Sequence, residues 1–208
     1  MRVLVTAGAT REYIDPVRYI TNASSGRMGC AVAAAAVAAG HGATLLCGPG
    51  VAPPEGVPSK AFISVEDLQS ALRQRFEACD ALVMAAAVGD FRPEKPFPSK
   101  IHRSAGPFTL RLFPTEDILA SLVPLRTERQ VVIAFAVEDG RPEQMEAKAR
   151  REMDAKGADY VVVNTPEAMA ADVSLACILG RGGVVLPWAE RPKNELAGEI
   201  VKLLASPR

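Results

Sequence analysis

Short apolar, β-branched runs alternate along this chain with longer segments of helical periodicity, and that alternation constrains the fold more than any other feature. Strand-length runs fall at Arg2 to Ala7, Ala43 to Cys47, Ala61 to Ser64, Ala81 to Ala86, Gln130 to Ala136 and Tyr160 to Asn164. Helical spacing occupies Gly26 to Ala39, Val65 to Ala78, Glu116 to Leu122 and Pro142 to Lys156. Strands separated by helices pair in parallel through crossovers, and the helices cover the sheet. The expected fold is therefore α/β, a Rossmann-like, doubly wound, mostly parallel sheet with helices on both faces. The C-terminal part breaks the pattern: Ser174 to Leu179 and Gly183 to Leu186 flank Gly180-Arg181-Gly182, a hairpin signal, before a last helix from Pro192 to Leu204. A mixed C-terminal edge is expected.

With 208 residues and 49% hydrophobic content, the chain can bury a core of domain size, which excludes global disorder. Its 24 Lys and Arg are balanced by 24 Asp and Glu, so no chain-wide positive field holds nucleic acid or an anionic membrane. Anionic ligands must be bound locally, in a pocket made positive by arginines and lysines on strand-end loops: Arg11, Arg18, Arg27, Arg92 and Lys100. The four cysteines form no CxxC and read as buried, reduced thiols. Two histidines without an HExxH pattern leave nothing to build a protein metal site. The N-terminal apolar stretch is too short for a signal peptide, and the longest apolar run, Cys30 to Ala39, is far short of a membrane span. A cytoplasmic, soluble chain is expected, with neither membrane nor nucleic acid as partner.

Two stretches are too rich in Gly and Pro for regular structure. Gly48 to Pro58 reads as a surface connection, whereas Phe91 to Pro107 follows a buried strand and carries Arg92, Lys95, Lys100, His102 and Arg103. A long loop at the carboxyl end of a parallel strand is where α/β proteins place ligand contacts. Residues 1–208 are otherwise expected to form one domain. After the first strand the chain reads VTAGATREYIDPVRYITNASSGRMG, with a connection of eighteen residues before the helix. Ser24 and Ser25 are cap residues, Gly26 and Gly29 permit close backbone approach, and phosphate at that helix N-terminus is one reading. A nicotinamide cofactor is the rival, disfavoured because the glycine spacing is GxxG and no carboxylate occurs between Asp15 and Glu55.

The run from Thr6 to Gly29 resembles the opening signature of the phosphopantothenoylcysteine synthetase family, the ligases of coenzyme A biosynthesis. The resemblance extends through Ala85 to Pro93, Ser99-Lys100-Ile101, Thr115 to Leu119, Ala134-Phe135-Ala136 and Lys156 to Asp159 before Asn164. It implies a ligase that joins 4′-phosphopantothenate to L-cysteine through an acyl nucleotide made from CTP, or from ATP, with Mg2+ and release of pyrophosphate. It further implies a homodimer whose loop after the AAAV strand completes the neighbour's site. Many relatives carry a flavin-dependent decarboxylase in front; this sequence resembles a stand-alone form.

By the same resemblance Asn22 and Lys100 are the catalytic residues. Met84, Ala85, Ala86, Asp90, Lys100, Thr115, Glu116, Asp117, Ile118, Phe135 and Lys156 contact nucleotide. Arg11, Arg18, Asn22, Ser24, Ser25, Gly26 and Arg27 hold the acid or shape its pocket. The residues agree with such chemistry independently: charge building on phosphates needs fixed cations and N–H donors, and no Ser/His/Asp constellation is present. Taken singly, Asn22 reads as a turn residue, Lys100 as a solvated loop lysine, Phe135 as core and Lys156 as a helix-end cation. Lys193 reads as helix structure. Glu152 stands where the family commonly has a second phosphate-binding lysine. An ATP-using ligase for a related acid, or a nucleotide-binding module without turnover, remains the alternative.

Overall fold

A computed structural model describes residues 1–103, 106–169 and 171–205. β1 (Arg2–Ala7) is followed by a hairpin of β2 (Arg11–Tyr13) and β3 (Tyr19–Thr21), then by α1 (Arg27–Ala38) and β4 (Gly42–Cys47). β5 (Ser59–Ala61), α2 (Val65–Phe76) and β6 (Ala81–Met84) come next, and β7 (Phe91–Pro93) pairs with β8 (Leu112–Pro114) in a second small ribbon. The chain continues through α3 (Ile118–Leu122), β9 (Val131–Val137), α4 (Pro142–Ala155) and β10 (Tyr160–Asn164). It closes with β11 (Val173–Gly180), β12 (Gly183–Pro192) and α5 (Lys193–Lys202).

Eight of these strands form one sheet in the order β12-β11-β10-β9-β6-β1-β4-β5. From β5 to β10 every pairing is parallel, and in chain order those strands read 3-2-1-4-5-6, the arrangement of doubly wound dinucleotide folds. β11 and β12 run antiparallel and supply the mixed edge. Successive residues of a strand face opposite sides. Val3, Val5 and Ala7 of β1 therefore pack with Val32 and Ala36 of α1 and Leu196 and Ile200 of α5. Leu4 joins Leu68 and Leu72 of α2, Leu119 of α3 and Met153 of α4 on the other face. Burial on both faces explains why these strands read as continuous apolar runs.

Element ends shift where a side chain claims the backbone. Ser64 is not strand: its Oγ accepts from Asp67 N at 3.1 Å and Asp67 accepts from Ser64 N at 2.9 Å, a capping box that starts α2. Ala85 and Ala86 fall outside β6, and Ala86 N donates to Thr6 Oγ1 at 2.9 Å. The expected serine caps of α1 are also corrected. Gly26 occupies the cap position with φ 76° and no side-chain cap, while Ser25 Oγ donates to Met169 O at 3.2 Å.

The larger differences lie in the two segments that lack apolar periodicity. The connection after β1 holds the β2–β3 hairpin, organised by the buried carboxylate of Asp15. That carboxylate accepts from the backbone N–H of Val17 at 2.7 Å and Arg18 at 2.8 Å, and from the Arg18 guanidinium. It also accepts from Ile101 N at 3.1 Å, which ties the hairpin to the stretch after β7. Burial alone would raise the Asp15 pKa, but these donors outweigh it and hold it at about 2. The expected irregular loop at 91–107 begins instead as β7 and forms the outgoing limb of an arm that returns through β8; its Ser104 and Ala105 lie outside the described residues. Phe97 N donates to Ile14 O at 2.7 Å, so the arm rests on the hairpin.

Candidate functional site

In a sheet of this order, β1 and β6 mark the place where crossovers leave for opposite faces, and the carboxyl ends of the strands open into a crevice there. A cleft of about 750 Å³ lies at that position. Its walls come from the start of α1, the segment after β6, the approach to α3, the end of β9, the C-terminal half of α4 and the stretch around Asn164 to Ser174. Two glycines allow the near wall to form. Gly8 (φ 87°) and Gly26 (φ 76°) both face Val51, whose methyl lies 2.5 Å from where a Cβ would sit on either. The Gly48 to Pro58 stretch thus packs its Val51 behind the cleft rather than merely connecting strands.

Most residues singled out from the sequence meet in this cleft. Asn22, Ser24, Gly26 and Arg27 line it from one side, Met84, Ala85, Ala86 and Asp90 from the β6 end. Thr115, Glu116, Asp117, Ile118, Phe135 and Lys156 complete the opposite walls. Asn22 Nδ2 donates to Val88 O at 2.9 Å, joining the signature to the segment after β6. Thr115 Oγ1 donates to Gly89 O at 2.6 Å and Thr115 N to Asp90 O at 2.9 Å, which fixes the base of the arm. Asp117 caps α3, accepting from Ala120 N at 3.0 Å. Phe135 is half-buried, neither pure core nor free.

Five residues are not brought to the cleft, Arg92 among them, exposed on β7. Arg18 pairs with Asp15, and Arg11 stacks over the Tyr19 ring at 4.3 Å, both within the hairpin. Ser25 turns to Met169, and Lys100 is exposed on the arm beside Ile101. The expected positive pocket is corrected accordingly. Within one chain the lining carries Arg27, Lys148, Lys156 and Lys193 against Asp90, Glu116, Asp117, Glu138 and Glu152. Most of those cations are already paired: Arg27 with Asp172 at 2.7 Å, Lys148 with Glu138 at 2.7 Å, Lys156 with Glu152 at 3.3 Å and Asp117 at 3.5 Å. Burial opposes the charge on Lys156, yet the two carboxylates outweigh it and raise its pKa. Glu152 is thus a direct partner of the lysine it neighbours on α4.

Sequence reasoning missed Lys148, Glu138, Asn164 and Ser174, and gave Lys193 to the helix alone. Asn164 Oδ1 is fully enclosed with no hydrogen-bond partner, and the residue lines the cleft. A buried acceptor left open in a cleft marks a place for a donor. The signal was present in part, since Asn164 ends an apolar strand at its carboxyl end. Among the described residues no group of three His, Cys, Asp or Glu side chains is placed to hold a metal, and no helix is long and apolar enough to cross a membrane.

The model of the DNA/pantothenate metabolism flavoprotein C-terminal domain family matches residues 1–207. The chain is 36% identical over 217 residues to the coenzyme A biosynthesis bifunctional protein CoaBC of Mycobacterium tuberculosis, covering 99% of this chain and 52% of that protein. It is 35% identical over 212 residues to a cysteine/cysteine sulfinic acid decarboxylase of an unknown prokaryotic organism, covering 97% of this chain and 57% of that protein. The chain therefore spans about half the length of the curated relatives it matches. Among solved structures, the C-terminal domain of a CoaBC protein superposes with TM-score 0.78 at 33% identity, covering 98% and 93% of the two chains. The Streptococcus pneumoniae DNA/pantothenate metabolism flavoprotein superposes with TM-score 0.87 at 23% identity, with 98% of each chain covered, and so shares the fold. A family match across nearly all residues, with relatives above 30% identity over almost the whole chain, means that this protein belongs to the DNA/pantothenate metabolism flavoprotein C-terminal domain family.

Proposed function

We propose that this chain joins 4′-phosphopantothenate to L-cysteine, activating the acid as an acyl nucleotide, with CTP as the preferred donor, and releasing pyrophosphate. The observation that carries this reading is the convergence at one cleft of Asn22 to Arg27, Met84 to Asp90 and Thr115 to Ile118, segments far apart in sequence. Relatives named for different activities match the same stretch, and the chemistry of the cleft favours the ligase.

Activation needs the acid's carboxylate held in line with the α-phosphorus while charge collects on the departing pyrophosphate. The uncapped start of α1 and the backbone beyond Met84 supply N–H donors for that charge. Asn22 serves the second step. With Nδ2 given to Val88 O, its Oδ1 remains to accept a hydrogen bond from the incoming amine and hold it over the activated carbonyl, where the C–N bond forms as the acyl C–O bond breaks and the nucleoside monophosphate leaves. Asp90 and Phe135 contact the nucleoside, with Asn164 Oδ1 available to a nucleotide N–H.

A triphosphate cannot be neutralised by a lining with more carboxylates than cations. We assign the missing charge to two sources. One is Mg2+, which favours one or two carboxylates plus phosphate oxygens over an all-protein cage and so comes with the triphosphate. The other is Lys100 on the arm of a second copy, in a homodimer with shared sites; Phe91, Phe97 and Phe108 leave apolar surface exposed on that arm. Pyrophosphate release from CTP, Mg2+ and phosphopantothenate without cysteine tests the reading. Release with CTP supports it, release with ATP alone reassigns the nucleotide, and binding without release with either favours a module that does not turn over.

A further inference from the structure

Lys193 occupies the first turn of α5 and is only 8% exposed, yet it lines the cleft. Its Nζ donates to Ala168 O at 2.7 Å and to Ala171 O. Arg27, Lys148 and Lys156 each meet a carboxylate, whereas Lys193 has no carboxylate ion-pair partner among the described residues. The surroundings make a bare ammonium costly. The first turn of a helix is its positive pole. Burial and the nearby Arg27 both push the Lys193 pKa down, and Asp172 only partly opposes them. Two neutral carbonyls use two of its three donors and leave its charge unbalanced.

The start of α1 faces the same space. Gly26, Arg27 and Met28 line the cleft, no side chain caps the helix, and its first turn contains no acidic residue. Arg27 also bridges to Asp172, whose backbone carbonyl accepts from Lys193 N at 3.0 Å, so the two cations sit on either side of one short segment. We propose that Lys193 binds a phosphoryl group of a cleft ligand, acting with Arg27 and the uncapped start of α1. The inference rests on the reading of this cleft as one for phosphorylated substrates. That phosphoryl group belongs either to the phosphorylated acid or to the triphosphate, since both present the same chemistry.

Lys193→Gln separates charge from architecture, because its amide retains two N–H donors for the Ala168 and Ala171 carbonyls while losing the cation. Lys193→Met, which keeps the stem, is the second neutral variant should Gln fail to fold; Lys193→Arg keeps the charge. Calorimetry on the full chain would use inorganic pyrophosphate, CTP, cytidine, phosphopantothenate and pantothenate. The neutral variants should weaken pyrophosphate and one phosphorylated ligand by about 10- to 100-fold, leave cytidine and pantothenate within about twofold, and be rescued largely by arginine. The phosphorylated ligand that loses affinity identifies the phosphoryl group. Unchanged binding, or parallel loss of phosphorylated and unphosphorylated ligands, would overturn the assignment and leave Lys193 as a clasp for the Ala168 and Ala171 carbonyls. A wild type that binds pyrophosphate through Lys193 but neither substrate would reject the ligase reading and keep this one. A wild type that binds no phosphoryl compound would reject both.

Discussion

Gly29→Ala offers a test of how closely α1 is seated on the sheet. A Cβ built on Gly29 lies 2.5 Å from Thr6 O, 2.6 Å from Ala7 Cβ and 3.0 Å from Ala7 Cα. Ordinary carbon contacts are about 3.5–4.0 Å, so the helix must retreat by about 1 Å. β1 is a central strand and cannot yield, because both of its neighbours are paired to it. Overpacking of this kind costs about 1–3 kcal/mol, and the backbone contacts put this case in the upper half of that range. Ala in place of Gly in a helix interior returns about 1 kcal/mol. The net is about 1–2 kcal/mol of destabilisation, a fall in Tm of about 2–8 °C for a chain of this size. Gly198→Ala in α5 is the matched control: nothing lies within 4 Å of its Cβ position, so only the propensity gain of about 1 kcal/mol applies and Tm should rise. Thermal and urea unfolding of both variants, followed by circular dichroism, reads the two signs directly. Because the start of α1 lines the cleft, Gly29→Ala should also raise KM. A Gly29→Ala chain as stable as wild type, or two variants shifting the same way, would refute the reasoning.

Asn22→Ala should impair amide formation far more than pyrophosphate release, and equal loss in both assays would remove Asn22 from the amine-binding role. Lys100→Ala should suppress activation itself; mixed with Asn22→Ala chains under conditions that exchange subunits, it should recover about a quarter of wild-type activity, since half the dimers then carry one intact site. No recovery would place Lys100 and Asn22 in the same chain's site or in none. The low Asp15 pKa predicts pH dependence of defined sign. A carboxyl held at about 2 against an ordinary 3.8 contributes stability that is complete above 3.8 and is lost as pH falls through about 2. Asp15→Asn should flatten the acid limb of the stability curve in that window, and superimposable curves for the two proteins would contradict the role of Asp15 as anchor of hairpin and arm.

The doubly wound sheet was readable because Val3 to Ala7, Val131 to Ala136 and Tyr160 to Asn164 carry their burial in their own composition. Boundaries failed where a distant or capping side chain took a backbone group, as Thr6 Oγ1 does with Ala86 N and Ser64 with Asp67 N. The β2–β3 hairpin and the β7–β8 ribbon were invisible for a related reason. Each is three residues per strand, and the hairpin is held by Asp15 rather than by an apolar period. Of the residues singled out, those next to strand ends line the cleft, whereas Lys148, Ser174 and Lys193 approach it from elements whose own patterns speak only of helix and edge. Charge was the least legible property. Counting Arg11, Arg18 and Lys100 as pocket cations ignored the partners that fold locally around the first two and the arm that carries the third away.

The position of β1 has a consequence for how the molecule is assembled. Although it precedes every other strand described here, it lies between β4 and β6, with Val3 paired to Ala43 on one side and Ala81 on the other. Closing such distant pairings is slow, and the cleft demands still longer ones, because Asp172 is held by Arg27 of α1 and both Ala168 and Asp172 are held by Lys193 of α5. A nascent chain can complete the β1–β4–β6 half without possessing the far wall of the binding space. Ligand stabilises only the state that binds it, so substrate would protect finished molecules from proteolysis and leave half-built ones exposed. Occupancy of the cleft thereby reports that the wall built from α1, the Ala168 and Asp172 contacts and α5 has closed.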